Sequence, residues 1–300
     1  MTGKAMDRRD FGALALGAIG AAALVKPAAA QAGWTSLWNE KDLAGWTTWL
    51  ARPEPTSDVP GLTKNANGRY TEPIGSNRDP LKVFTVVPNV DGKPAIRISG
   101  EVYGELRTTR EFKDYHLKFQ FKWGEKKWPP RDAAATQRDS GLLYHVHAAP
   151  GAEGRTWARS IELQIQERDC GDLYAVGSAI AVKAKPVPQT TPVQYIYDPT
   201  GVWTYFSQSP GQSGRCIKSP DAEKPTGEWN TIELVCLGQD CIHIVNGKVV
   251  MRLYAPTRID SPLPTIVTSG SIILQSEGAE LFYRDIGFRP ITAIPAEYSI

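Results

Sequence analysis

The chain has 300 residues, with 34 Lys and Arg against 32 Asp and Glu, a net charge of +2 and 41% hydrophobic residues. That balance, with no later basic cluster, excludes an electrostatic nucleic-acid footprint. The apolar run at 12–25 is shorter than the ~20 residues a bilayer-spanning helix needs, so no membrane span is expected in the mature chain.

In chain order, residues 1–32 read as an export signal. Asp7-Arg8-Arg9-Asp10-Phe11 is a twin-arginine pattern. An Ala/Gly-rich run follows, and Ala28-Ala29-Ala30 and Ala30-Gln31-Ala32 both fit A-x-A cleavage. The expected mature chain is periplasmic or extracellular, spans 33–300 as a single domain, and carries 30 basic and 30 acidic residues.

Past the signal the pattern is of short alternating runs broken by Gly, Pro, Asn and Asp. It predicts strands at 83–87, 95–99, 105–109, 115–123, 140–146, 160–166, 229–237, 241–245, 248–254, 271–274 and 281–288. Asn246-Gly247 between two apolar runs predicts a tight hairpin. Such spacing points to an all-β, two-sheet antiparallel jelly-roll sandwich. Pro- and Gly-rich stretches at 51–78, 124–138, 184–199 and 207–227 read as long loops around a cleft. Of nine tryptophans, Trp38, Trp46 and Trp229 are expected in the core. Trp128 and Trp157 lie in or beside polar loops, where an indole offers a platform for a pyranose ring or anchors the loop.

The most informative stretch is Ser160-Ile-Glu-Leu-Gln-Ile-Gln-Glu167. Its alternation places Ile161, Leu163 and Ile165 on one face and Glu162, Gln164 and Gln166 on the other. Acid and amide groups on a rigid strand suit a sugar cleft, because they hydrogen-bond hydroxyls in both directions and a carboxylate also moves protons. Glu167 joins Glu162 on that face only if a bulge lies between them. Otherwise it sits at the rim.

Four cysteines in an exported chain favour disulfides. Cys236-Leu-Gly-Gln-Asp-Cys241 reads as a hairpin closed by its own bridge, which leaves Cys170 and Cys216 as the second pair. This is one of three connectivities.

Several segments together carry a resemblance. They are Trp34-Thr-Ser-Leu-Trp-Asn-Glu-Lys-Asp-Leu-Ala-Gly-Trp46, Phe121-Lys-Trp-Gly-Glu-Lys-Lys-Trp128, Arg138-Asp-Ser-Gly-Leu-Leu-Tyr-His145, Ile161 to Glu167 with Gly171-Asp-Leu-Tyr174, Gly227-Glu-Trp-Asn230, and Gly270 to Gln275 through Phe282-Tyr-Arg-Asp-Ile286. In this order the chain resembles the 3-keto-disaccharide hydrolase domain family. The resemblance implies a concanavalin A-like jelly roll of the lectin and glucanase type, acting on oxidised glycosides. The sequence departs from the pattern at Glu40, where Gly is usual, and at Ser276-Glu277, where Asp-His is frequent, so no histidine is carried over there.

A ketone at C3 of a glucose ring acidifies the C2 proton, and loss of that proton lets the C1 substituent leave. Such a site needs a base, an acid, and donors at the C3 oxygen. Glu162 and Glu167 are the leading acid and base candidates. The E-x-Q-x-x-E pattern also resembles the E-x-D-x-x-E strand of laminarinase-like retaining glucanases, which have two glutamates flanking the bond. His145 is the third catalytic candidate, though apolar residues on both sides leave its facing open. With His147 and a glutamate it would make a metal set. Lys126, Lys127, Arg138 and Arg159 are the cationic candidates for an enolate oxygen. Gln164, Gln275, Trp128 and Trp157 are the expected sugar contacts. No cofactor is required by any motif, and a divalent metal stays open. The favoured reading is an exported enzyme cleaving 3-keto-glycosides by β-elimination or net hydrolysis. The alternatives are a carbohydrate-binding module or a retaining β-glucanase.

Overall fold

Ile161, Leu163 and Ile165 all turn to one side of the strand Ser160–Gln166 and pack with Leu106, Leu142 and Leu274 from neighbouring strands. Facing them are Leu117, Phe119, Phe121 and Trp123, alternating along Tyr115–Lys127, and Ile232 and Leu234 from Asn230–Leu237. Full burial of each such side chain is worth about 1.5–3 kcal/mol, which is what holds two sheets face to face. The computed structural model describes residues 33–299, and in it the chain is an all-β jelly-roll sandwich of two antiparallel sheets. The expected signal at 1–32 lies outside the described residues.

The front sheet runs in the order Arg215–Cys216, Leu173–Val176, Ser160–Gln166, Asp139–Val146, Ser269–Ser276, Gly104–Thr108, Trp46–Leu50 and Gly75–Ser76. The back sheet runs Tyr195–Tyr197, Ser178–Pro186, Lys248–Arg258, Asp240–Val245, Asn230–Leu237, Tyr115–Lys127, Ala279–Pro290, Lys93–Ile98 and Phe84–Val90, with Val202–Ser207 paired to Ser178–Pro186. Asn246 and Gly247 take φ of 49° and 76°, the left-handed geometry of the expected hairpin, with Val245 paired to Lys248. Among the described residues no helix is long and apolar enough to cross a membrane.

Strands at Trp46–Leu50, Leu173–Val176, Ser178–Pro186 and Val202–Ser207 escape the period-two reading. Ser178–Pro186 is buried along most of both faces and so carries small apolar residues without alternation. The loop expected from 184 therefore begins later. Trp229 is not core. Its ring lies half-buried under the Arg284 guanidinium, 3.7 Å away, and its indole N–H donates to Asp91 at 2.8 Å. Trp38 and Trp46 are buried as expected.

Neither expected disulfide is formed: all four cysteines are buried free thiols. Cys236 and Cys241 do face each other in register across the hairpin, but both turn into the core, where Cys241 Sγ lies 3.5 Å from His145 Nε2. Cys216 donates weakly to the Ile217 carbonyl instead of meeting Cys170.

One irregularity positions the site. Ser271 pairs with Val146 but Ile273 pairs with Leu143, so the Asp139–Val146 strand carries an extra residue at this point. His145 sits in that bulge with φ of 51°. Its ring therefore turns inward beside Tyr144, and Val146 takes the outward face, packed with Leu143, Ile273 and Ala158.

Candidate functional site

Period two puts Glu162, Gln164 and Gln166 on the face of Ser160–Gln166 that turns away from the core. Pairing sets Glu162 beside Tyr174 and Leu143, Gln164 beside Gly141, and Gln166 beside Asp139. Gln275 reaches the same spot from Ser269–Ser276, with Glu105 opposite it in register. Gly141 leaves room for the Glu162 and Gln275 side chains, since a Cβ there would stand 2.1 Å from Glu162 Oε1 and 2.2 Å from Gln275 Oε1 and would push both aside. The result is a cleft of about 540 Å³, walled by Tyr103, Trp157, Tyr174 and Gln208 and crossed by Arg131 and Glu277.

Two carboxylates share one cation here, and a third, Glu162, lies beside them without one. Arg131 Nη2 contacts Asp139 Oδ2 and, at 3.0 Å, Glu277 Oε1. Asp139 also accepts from Gln166 Nε2 at 2.6 Å. The arginine arrives on a loop fixed from both ends. Lys127 Nζ donates to the carbonyls of Ala133, Ala134 and Thr136, and the Trp128 indole donates to the Ser99 carbonyl at 3.0 Å. Glu162 is 5% exposed and has no cation of its own. Burial first, then the charges of Glu277 and Asp139, push its carboxyl well above the usual carboxylate range. Burial and Glu277 likewise push Asp139 up against the pull of Arg131, and burial raises Glu277.

Polar atoms in this region lack partners within the protein although they are buried. They are Glu162 Oε1, Asp139 Oδ1, Arg131 Nε, Glu105 Oε2 and both amide atoms of Gln275. Leaving such groups unmatched costs about 1–3 kcal/mol each. Glu105 is held by the Ala158 N–H at 2.7 Å, and burial raises its pKa to about 7.

The structure brings Glu162, Gln164 and Trp157 into the cleft and sets Gln275 beside Glu162. The other expected residues lie elsewhere. Strand pairing runs unbroken from Ile161 to Gln166, so no bulge carries Glu167 round to Glu162. Glu167 instead takes a salt bridge from Arg138 at 2.8 Å, the Arg138 N–H at 2.9 Å and the Thr226 hydroxyl at 2.6 Å. Burial pushes its carboxyl up, but these partners outweigh it and the net shift is downward. Arg138 is thereby spent on Glu167 and the Gly124 carbonyl. Lys126 sits 3.7 Å over the Trp128 ring, and Lys127 caps its loop. Arg159 binds Glu153 and the Gly177 carbonyl. His145 is turned into the core by the bulge, so the His145, His147 and glutamate set that the sequence left open does not assemble. Among the described residues, the converging ligand atoms are those of His145, Cys236 and Cys241, within 4.8 Å of one another in the core.

Glu167→Gln is therefore expected to leave turnover near wild type while costing about 1–3 kcal/mol of stability, because it weakens the bonds from Arg138. Parallel activity and denaturation measurements on this variant check both halves.

Sequence reasoning missed Arg131, Asp139, Glu277, Tyr103 and Tyr174. Two carried a signal. Asp139 shares the parity of Gly141 at a strand start, and Glu277 is an acid shortly after the apolar run that ends at Leu274, at a position already noted as a departure from the family pattern.

A family model described as a 3-keto-alpha-glucoside-1,2-lyase-like domain matches residues 33–289. No curated protein matches the chain. Among solved structures, a protein of Parabacteroides distasonis provisionally described as a glycosyl hydrolase is 17% identical, covers 86% of this chain and 94% of its own, and has a TM-score of 0.47. A Bacillus subtilis protein with a galectin-like fold is 12% identical over 69% of this chain and 87% of its own, with a TM-score of 0.37. A carbohydrate-binding module from the same organism is 7% identical over 68% and 89%, with a TM-score of 0.35. At these identities the likeness is one of fold.

Proposed function

The chain belongs to the 3-keto-alpha-glucoside-1,2-lyase-like domain family, and from that premise we propose that it cleaves 3-keto-glycosides by removing the C2 proton and expelling the C1 substituent. One observation carries the reading. Glu162 is a buried carboxyl with no cation of its own, one oxygen without a protein partner, and a cleft in front of it.

The chemistry divides among the residues present. Glu162 accepts the C2 proton, and the electron pair moves into an enolate with charge on the C3 oxygen. A raised pKa makes Glu162 a stronger base than an ordinary carboxylate. Arg131, which lines the cleft, is the cation available to stabilise that oxygen. The enolate then collapses to a C1–C2 double bond with the C3 ketone restored, and the C1 oxygen leaves. The proton that Glu162 has taken passes to that oxygen, directly or through water, which returns Glu162 to its basic form. Gln164 and Gln166, which line the cleft, bind ring hydroxyls, with Gln275 buried beside Glu162. Water addition to the enone would give net hydrolysis. The proposal includes export to the periplasm or beyond, resting on Arg8-Arg9 and the run that follows.

A retaining-glucanase reading loses its partner with Glu167, which is bound to Arg138 outside the cleft. The test is incubation with methyl 3-keto-α-glucoside and its unoxidised parent, in heavy water, following both enone formation and deuterium at C2. Turnover of the oxidised sugar alone is expected. Turnover of the parent, or of a β-glucan run beside it, without turnover of the oxidised sugar would establish an ordinary glycosidase, and binding without turnover of any of them would establish a binding module.

A further inference from the structure

The bulge that turns His145 inward aims its ring at two thiols. His145 belongs to Asp139–Val146 in the front sheet, while Cys236 and Cys241 face each other across the hairpin of Asn230–Leu237 and Asp240–Val245 in the back sheet. One imidazole nitrogen and two Sγ atoms lie within 4.8 Å of one another, and all three residues are at most 1% exposed. None of the three lines the cleft at Glu162.

We propose that His145, Cys236 and Cys241 hold a zinc ion that staples the two sheets together through the core, independently of the reaction in the cleft. Distances come first. Zinc bonds of about 2.3 Å to sulfur and about 2.0–2.1 Å to nitrogen, at the tetrahedral angle, set sulfur and nitrogen about 3.5–3.6 Å apart and two sulfurs about 3.8 Å apart. Cys241 Sγ already stands 3.5 Å from His145 Nε2, and the other separations need close only from within 4.8 Å. Charge comes second. Each thiol gives its proton to solvent as the metal binds, and two thiolates then cancel the charge of a divalent ion. The filled site is neutral, as burial demands, whereas copper(I) on the same two thiolates would leave a net negative charge in the core. The surroundings come third. The Tyr115 hydroxyl abuts Cys236 without an oxygen or nitrogen partner, and is available at the fourth corner. The Tyr144 hydroxyl abuts Cys241 and is fixed by His243 Nε2 at 2.9 Å. The backbone also bears a cost to aim the imidazole here. His145 holds a left-handed φ of 51°, and Gly270 gives the bulge room, since a Cβ on it would stand 2.5 Å from the His145 carbonyl carbon. A ligand set closed off from solvent is the pattern of structural zinc, not catalytic zinc.

The experiment measures metal in the purified chain and after refolding. Wild type produced with zinc and washed with chelator while folded is expected to keep one zinc per chain and to release it on unfolding in denaturant. Refolded with chelator, it should melt at a lower temperature than when refolded with zinc. Refolding with cobalt(II) should give thiolate-to-cobalt charge transfer and the strong visible bands of a tetrahedral site. Cys236→Ser combined with Cys241→Ser should carry no metal, while Cys216→Ala, outside the cluster, should carry the full equivalent. The cobalt spectrum needs only wild type, so it decides the matter even if the double variant does not fold. Wild type that holds no zinc and takes up neither metal on refolding overturns the proposal. So does copper in place of zinc, a Cys236–Cys241 disulfide in the isolated chain, or a folded double variant that keeps its zinc.

Discussion

Glu162→Gln is expected to lower turnover of a 3-keto-glycoside by ~10²–10⁴-fold, the usual loss when a general base is removed. The amide keeps the shape of the carboxyl and opens no cavity, so folding survives. The pH dependence sharpens the expectation. Burial and the neighbouring carboxylates raise the Glu162 pKa in the folded protein, so wild-type kcat/KM should climb as pH rises through that value and the base becomes free. Stability runs the opposite way. A carboxyl raised on folding carries no penalty below its unfolded pKa, and stability is lost as pH rises through the folded value. Glu162→Gln removes this slope, so the variant should match wild type in acid and exceed it in Tm at alkaline pH. Melting curves at both extremes, with rates on the oxidised substrate, check this. Near-normal turnover would transfer the base role to another group. Loss of folding would make Glu162 a structural residue.

Arg131→Met is expected to have the largest effect on stability, about 3–5 kcal/mol near neutral pH, because it strands Asp139 and Glu277 in a buried site without their shared cation. Both carboxyls already have raised folded values, so protonation is the remaining way to neutralise them. The loss should shrink as pH falls and both groups take up protons. Arg131→Lys keeps the charge but not the two-armed geometry, and should recover only part of the loss. Chemical denaturation of the three proteins across pH measures this. An Arg131→Met variant as stable as wild type at pH 8 would show that the cluster is neutralised some other way.

The strand that floors the cleft was legible because one face had to be apolar and the other was free to be chemical. Ser160–Gln166 has the bounds its alternation predicts, and Glu162 and Gln164 follow from parity alone. The cation was not legible. Lys126, Lys127, Arg131 and Arg138 all lie in or next to one loop, and which of them enters the cleft depends on how that loop closes. Lys127 is consumed in capping it and Arg138 in binding Glu167. Asp139 and Glu277 meet through pairing of strands distant in sequence, a relation no local pattern records. His145 defeated the parity argument because a bulge has no fixed signature in composition.

That bulge acts as a frameshift in the pleat. Before it, the outward positions of Asp139–Val146 are Asp139, Gly141 and Leu143; after it, the outward position is Val146. What lies under the outer face therefore changes along the strand, from carboxyl and bare backbone to a buried cluster of Leu143, Val146, Ala158 and Ile273 against which Trp157, a cleft residue, packs. On the proposed function, a sugar in this cleft has a preferred heading, with its hydroxyl-rich edge toward Asp139 and a C–H face toward the Trp157 ring that the cluster supports. One inserted residue thus gives the cleft a polarity, and a bound glycoside a head and a tail.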